Sequence, residues 1–187
     1  MNPLIQRLNL EHKRLARLLD LLQRLVDRFG EGNEPDFELL CEMLEYMEFY
    51  ADQVHHKTED LIFERLLALD VEKRDVLDTL MHQHRQISQI NRRFRRSLEG
   101  IVNEEVLRRE EVEIQGRELI AALRQHMDLE EREAFPVALD CLADADWAAI
   151  EDAAPDASDP VFVVPDTARF LNLYRELGHQ ADPSAGA

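Results

Sequence analysis

Positive charge is scarce in this 187-residue chain. Twenty-two Lys and Arg stand against 39 Asp and Glu, giving a formal net charge of −17, and only Lys13, Lys57 and Lys73 are lysines. A surface of that sign repels phosphate backbones, which argues against nucleic acid and anionic membranes as partners. Long apolar runs are missing as well: none approaches the roughly 20 residues of a membrane-crossing helix. The opening stretch MNPLIQRLNLEHKR reads as an amphipathic helix and lacks the apolar segment of a signal peptide. Two cysteines, Cys41 and Cys141, are too few for a disulfide framework and too isolated for a CxxC site, so both are expected as buried free thiols. A reduced, cytoplasmic protein is the expectation. Glycine (six) and proline (seven) are sparse between long runs of helix formers, which points to an all-α fold.

Period and punctuation give four long helices. The first runs from Pro3, after an Asn2 cap, to about Phe29, with Gly30 and Gly32 as stops. The second follows Pro35-Asp36 and reaches about Ala68. Asp70 is the expected cap of the third, which ends near Leu98 at Gly100. Asn103 is the expected cap of the fourth, which reaches about Ala134, before Pro136. Gly116, inside the fourth, marks either a close helix contact or a bend. Short connections favour antiparallel neighbours, hence an up-down-up-down four-helix bundle over residues 1–143. Residues 144–187 form a C-terminal extension of short helices, packed on the bundle or on a second subunit. Its VFVV (161–164) reads as an apolar plug. A last amphipathic helix, Thr167 to Leu177, carries Phe170, Leu171, Tyr174 and Leu177 on one side. Acid is concentrated here: from Asp128 onward lie 14 of the acidic residues but three of the basic ones.

The histidines carry the chemistry. In the first helix the inward series is Ile5, Leu8, His12, Leu15, Leu19; in the second Leu44, Met47, Ala51, His55, Glu59, Ile62. The third places His84 in phase with Leu77, Leu80 and Ile87. The fourth places His126 and Glu130 between Leu123 and Ala134. Four imidazoles and two carboxylates thus occupy positions that elsewhere bury apolar side chains. A buried Glu is costly unless paired or metal-bound. Each follows a His by four residues, so both side chains leave one helix face about a turn apart. The pattern is duplicated: a lone His precedes the His-x-x-x-Glu pair by 43 residues (12 to 55) and again by 42 (84 to 126). In an antiparallel bundle the six side chains lie within about two turns of one height, at about 1.5 Å per residue.

A single His on an apolar face is ordinarily a core residue with a satisfied hydrogen bond. Four in phase, with two Glu at i+4, instead indicate a metal site. His82 competes with His84 but points to the opposite side of its helix. His56 reaches Glu59 at i+3, yet the matching pair in the fourth helix is spaced i+4, which favours His55. His179 reads as a surface residue. Asp60 and Glu131 immediately follow the ligand candidates and either support them or face solvent.

Six ligands of this kind are too many for one structural zinc, and imidazole does not suit calcium or magnesium. Two irons fit. If Glu59 and Glu130 bridge and each iron takes two His, an added oxo or hydroxo bridge leaves one open position per metal, where small ligands bind. The chain here resembles the hemerythrin-like HHE cation-binding family, in its four-His, two-Glu bacterial form. The resemblance covers about residues 4–150 and rests on LEH (10–12), HHKTEDLIF (55–63), HQHRQI (82–87), HMDLEEREAFPVA (126–138) and DW (146–147). It implies a non-haem di-iron centre held by His12, His55, Glu59, His84, His126 and Glu130. Oxygen-carrying relatives have a fifth His one turn from the lone His of the third helix, where this chain has Leu80 and Ser88.

The expected function is a di-iron protein that binds or reacts with O₂, NO or peroxide in sensing or stress defence. Iron storage or donation to damaged iron centres, with an iron-accepting client, is the alternative; oxygen carriage is a further one. No separate nucleophile or general acid–base group can be assigned, so a binding protein is favoured over a dedicated enzyme. Tyr46 and Tyr50 read as core residues or redox-active ones.

Overall fold

The computed structural model describes residues 2–69, 71–103 and 108–177, all helical or irregular, with no strand among them. Helix α1 (Pro3–Gly30) starts where Asn2 accepts the Leu4 N–H at 2.8 Å, with Pro3 in the first turn. It ends before Gly32, whose φ of +97° lies in the left-handed region that glycine tolerates. Asp36 caps α2 (Phe37–Tyr46) by accepting the Leu39 N–H at 3.0 Å. The helix then continues without a break through a π-helical stretch, π1 (Met47–His55), into α3 (His56–Ala68).

Helix α4 spans Arg74–Val102. The expected cap Asp70 lies outside the described residues. Gly100 does not end α4, because its backbone stays helical. Asn103 closes α4 instead of opening the next helix: its amide donates to the Glu99 carbonyl at 2.8 Å. A side-chain amide bonds the last free carbonyls of a helix as readily as the first free N–H groups of the next. Helix α5 (Arg109–Leu129) therefore starts later than expected, with Arg108 at its N-cap and no side-chain cap bond. It runs on through a second π stretch, π2 (Glu130–Ala134), into α6 (Phe135–Cys141). Pro136 was the expected stop. It lacks an N–H and would clash with the carbonyl four residues back in a regular helix. The π turn, closed by the Phe135 N–H on the Glu130 carbonyl, widens the backbone just before it.

Contacts join α1 with α5, α5 with α4, α4 with α2 and α2 with α1. Of the two readings of Gly116, the close contact is the one observed. A Cβ there would stand 2.6 Å from Val26 Cγ2 and 3.1 Å from Phe94 Cζ. Helix α7 (Asp144–Ala153) lays Trp147 and Ile150 against α3, and Arg65 of α3 reaches Asp146 at 2.6–2.7 Å. Helix α8 (Leu171–Leu177) rests on α2, where Glu42 accepts the Leu173 N–H at 2.9 Å. The helix starts only at Leu171, so Leu173 and Leu177 are its inward residues, with Phe170 buried just before it; Leu171 is exposed and Tyr174 half-buried. Of the VFVV plug, Val161 is buried, Phe162 is half-buried beneath the guanidinium groups of Arg14 and Arg17, and Val163 and Val164 are exposed. Cys41 is half-buried and Cys141, at the outward end of α6, is exposed; both are free thiols.

Buried apolar side chains form two clusters. One holds Leu4, Leu8, Ile62, Leu77, Leu80 and Phe135; the other holds Leu15, Leu19, Leu44, Ile87, Leu119 and Leu123. The polar layer lies between them: on α1 His12 separates Leu8 from Leu15, and on α4 His84 separates Leu80 from Ile87.

Candidate metal centre

His12 from α1, His55 from the end of π1, Glu59 from α3, His84 from α4, His126 from α5 and Glu130 from π2 are all buried. Every imidazole turns Nε2 inward. His12 Nε2 lies 3.3 Å from Glu59 Oε1 and 3.3 Å from Glu130 Oε2, and His55 Nε2 lies 3.2 Å from Glu59 Oε1. On the other side His84 Nε2 stands 3.5 Å from Glu59 Oε2 and 3.4 Å from Glu130 Oε1, and His126 Nε2 is 3.1 Å from Glu130 Oε1. Each carboxylate therefore gives one oxygen to His12 and its side, and the other oxygen to His84 and its side.

The outward nitrogens explain this aim. His12 Nδ1 meets Glu131 at 2.9 Å, His55 Nδ1 meets Glu11 at 2.7 Å, His84 Nδ1 meets Asp60 at 2.8 Å, and His126 Nδ1 meets Gln83 Oε1 at 3.0 Å. These oxygens only accept, so each Nδ1 carries a hydrogen, and Nε2 is the nitrogen left for a metal. Glu131 and Asp60 thus support the inward residues. Glu11 and Gln83 do the same and were not singled out in the sequence. Their only signal is position, one residue before a histidine.

His56, set aside in the sequence in favour of His55, joins the same buried layer. Both are buried, and the His56 ring stacks on His84 with centroids 4.3 Å apart, its Nδ1 3.3 Å from Asp52. The cause is local: the His56 N–H bonds to the Ala51 carbonyl, five residues back, so the turn holds one more residue than an α turn. Two candidate ligand groups result, each with ligand atoms within 4.8 Å of one another: His12, His55 and Glu59, and His56, Glu59, His84 and His126. His82 is exposed, and His179 lies outside the described residues.

Charge confirms how unusual the layer is. Burial opposes a charged His12, but Glu130, Glu131 and Glu59 outweigh it and push the imidazole up to about 12. His84 is likewise raised, by Asp60, Glu130 and Glu59 against burial. Burial and the neighbouring Glu130 push Glu59 up, yet the imidazoles win and hold it at about 2. Glu130 is lowered in the same way. Burial and the positive field of His84 bring His56 down to about 4. Even so, Nε2 of His12, His55 and His126, both oxygens of Glu59 and Oε2 of Glu130 are buried with no hydrogen-bond partner. Buried polar atoms are nearly always satisfied. Six that converge on one point, all good donors to a transition metal, fit a bound cation.

A helical bundle with a buried His/Glu layer of this kind defines a metal-binding protein. The particular family follows from comparison: residues 4–138 match the hemerythrin HHE cation-binding domain, and the chain belongs to that family. No curated protein and no solved structure gives a significant match to the chain. No helix among the described residues is long and apolar enough to cross a membrane.

Proposed function

We propose that the chain is a non-haem di-iron protein that binds or reacts with O₂, NO or peroxide, built as an up-down-up-down four-helix bundle. One observation carries the reading. Glu59 and Glu130 each direct one oxygen to the His12 side and one to the His84 side, as two bridging carboxylates would. His12, His55, Glu59, His84, His126 and Glu130 are the ligands, and His56 is a seventh. The first metal then has two imidazoles and two carboxylate oxygens; the second has three and two. With one oxo or hydroxo bridge, six-coordination would leave a single open position, on the metal that His12 and His55 would hold.

A surface cleft of about 310 Å³, lined by Asp52, His56, Lys57, Asp60, His84 and Arg85 among others, ends on the opposite side. His56 and His84 stand between it and the carboxylates. Replacing His56 by Ala should therefore open a second coordination position next to the cleft. The expected result is faster binding of a small anion such as azide by the iron-loaded protein, read by stopped-flow absorbance.

The central test is to load the protein with Fe(II) without oxygen, confirm two irons per chain, and add O₂, NO or peroxide. A change in the optical spectrum is expected with at least one of them. A filled site that responds to none overturns the reading.

A further inference from the structure

Asp159 is fully buried, in the part of the chain that follows the family-matched residues. Its Oδ1 accepts the N–H groups of Val161 and Phe162, each at 2.9 Å. Its Oδ2 takes the Tyr46 hydroxyl at 3.2 Å and lies 3.5 Å from the Arg14 guanidinium. This one carboxylate both folds the turn 159–162 and fastens it to α1 and α2. Behind it, the Tyr46 ring stacks on Tyr50, centroids 5.7 Å apart and 16° from parallel. The Tyr50 hydroxyl has one proton and two acceptors: Glu11 Oε1 at 2.9 Å and the Ala157 carbonyl at 3.4 Å. The other oxygen of Glu11 receives the His55 Nδ1–H at 2.7 Å.

A continuous line of contacts thus joins the backbone of residues 157–162 to the imidazole of His55. Packing alone does not call for it. Val161, Phe170, Leu173 and Leu177 already anchor the segment in the apolar core. Two buried carboxylates and two buried hydroxyls are costly unless satisfied, and here they satisfy one another.

We propose that residues 157–162 form an outer wall of the metal centre, with Asp159 and Tyr50 as positioning residues. The seated turn sets Tyr50, Tyr50 sets Glu11, and Glu11 sets the ring of His55. The inference rests on the metal-binding reading above and adds to it a contribution from a segment beyond the matched domain. Because coupling between two sites is reciprocal, filling the metal centre must tighten the turn as much as the turn tightens the centre.

The test uses the full chain and Co(II) as probe, since its visible spectrum reports ligand geometry. In the wild-type protein, Co(II) should slow hydrogen exchange at the Val161 and Phe162 amides by about tenfold or more. Tyr50→Phe keeps the ring and removes the hydroxyl. It should lower Co(II) affinity by about 10- to 100-fold, the usual effect of losing support behind a ligand, shift the spectrum, and abolish the exchange effect. Asp159→Asn should act in the same direction. Arg169→Ala removes the ion pair to Glu45 and the stacking on Phe49 and Phe170, none of which lies on the line to His55, and should leave affinity and spectrum unchanged. If the wild-type chain fills with Co(II), yet its exchange is unaltered and Tyr50→Phe binds with the same affinity and spectrum, this inference is overturned and the metal reading stands. A wild-type chain that takes up no Co(II) overturns both.

Discussion

His12 and His56 sit in one buried layer with opposite acid–base characters. His12 is held charged by three carboxylates up to about pH 12, whereas His56 stays neutral above about pH 4. A metal needs the neutral imidazole, so it must displace the proton of His12 and takes His56 without that cost. Metal uptake at neutral pH should therefore release at least one proton per chain. The apparent affinity should rise at least tenfold per pH unit across pH 6–8, because the metal-free His12 still holds its proton there and His84, raised by its own carboxylates, adds to the effect. Proton release on adding Fe(II) to weakly buffered, oxygen-free protein measures this; uptake with no release would contradict it. In the metal-free protein the ion pairs have a pH window of their own. The contribution of Glu59 is present above its ordinary value of 4.5 and is lost as pH falls through about 2. A second expectation concerns His126, which faces the carboxylates only through Nε2. His126→Ala should lower the metal bound per chain below that of the wild-type protein, as elemental analysis would show.

Which of these residues the sequence discloses depends on whether regular helix geometry places them. His12, His84, His126 and Glu130 fall in phase with apolar neighbours three and four residues away, so an α-helical reading finds them. His56 is out of phase in any regular helix. Only the extra residue held in the π1 turn brings its side chain into the same layer as that of His55, and π1 packs against α4 there. The caps divide similarly. Asn2 and Asp36 stand directly before their helices and act there. Asn103 is a capable cap on either side of a break, and its neighbourhood decides which. Pro136 signals a break correctly for an α helix, but the π2 turn absorbs it. At this scale Gly116 allows a direct check. Gly116→Ala gains about 1 kcal/mol of helix propensity, but its Cβ would overlap Val26 where α5 meets α1. Overpacking of this kind costs about 1–3 kcal/mol, so the net change should be destabilising, as urea unfolding would record.

Across the whole molecule, the acid excess beyond Asp128 is not one population. Asp146 is half-buried on α7 and lowered by the Ala143 N–H and Arg65, while Asp159 is fully buried and raised by burial despite its backbone N–H partners. Composition cannot separate the two, because it holds no record of which carboxylates are buried. The apolar side of the same segment makes a plainer contribution. Phe170 is fully buried and meets Tyr46 edge-on at 6.1 Å. Phe170→Ala should cost about 3–5 kcal/mol by deleting that packing, read as a lower midpoint in thermal unfolding.

The duplicated His…His-x-x-x-Glu pattern makes the two halves of the chain look interchangeable, and the π1 turn undoes this. By adding His56 to one side only, it gives the proposed pair of metals a polarity. The ion between His12 and His55 would be the one that meets a small molecule. Its neighbour, enclosed by three imidazoles, would serve chiefly as a partner in electron exchange. On that reading, spectroscopy that resolves individual irons would find two unlike environments, although the sequence motif occurs twice.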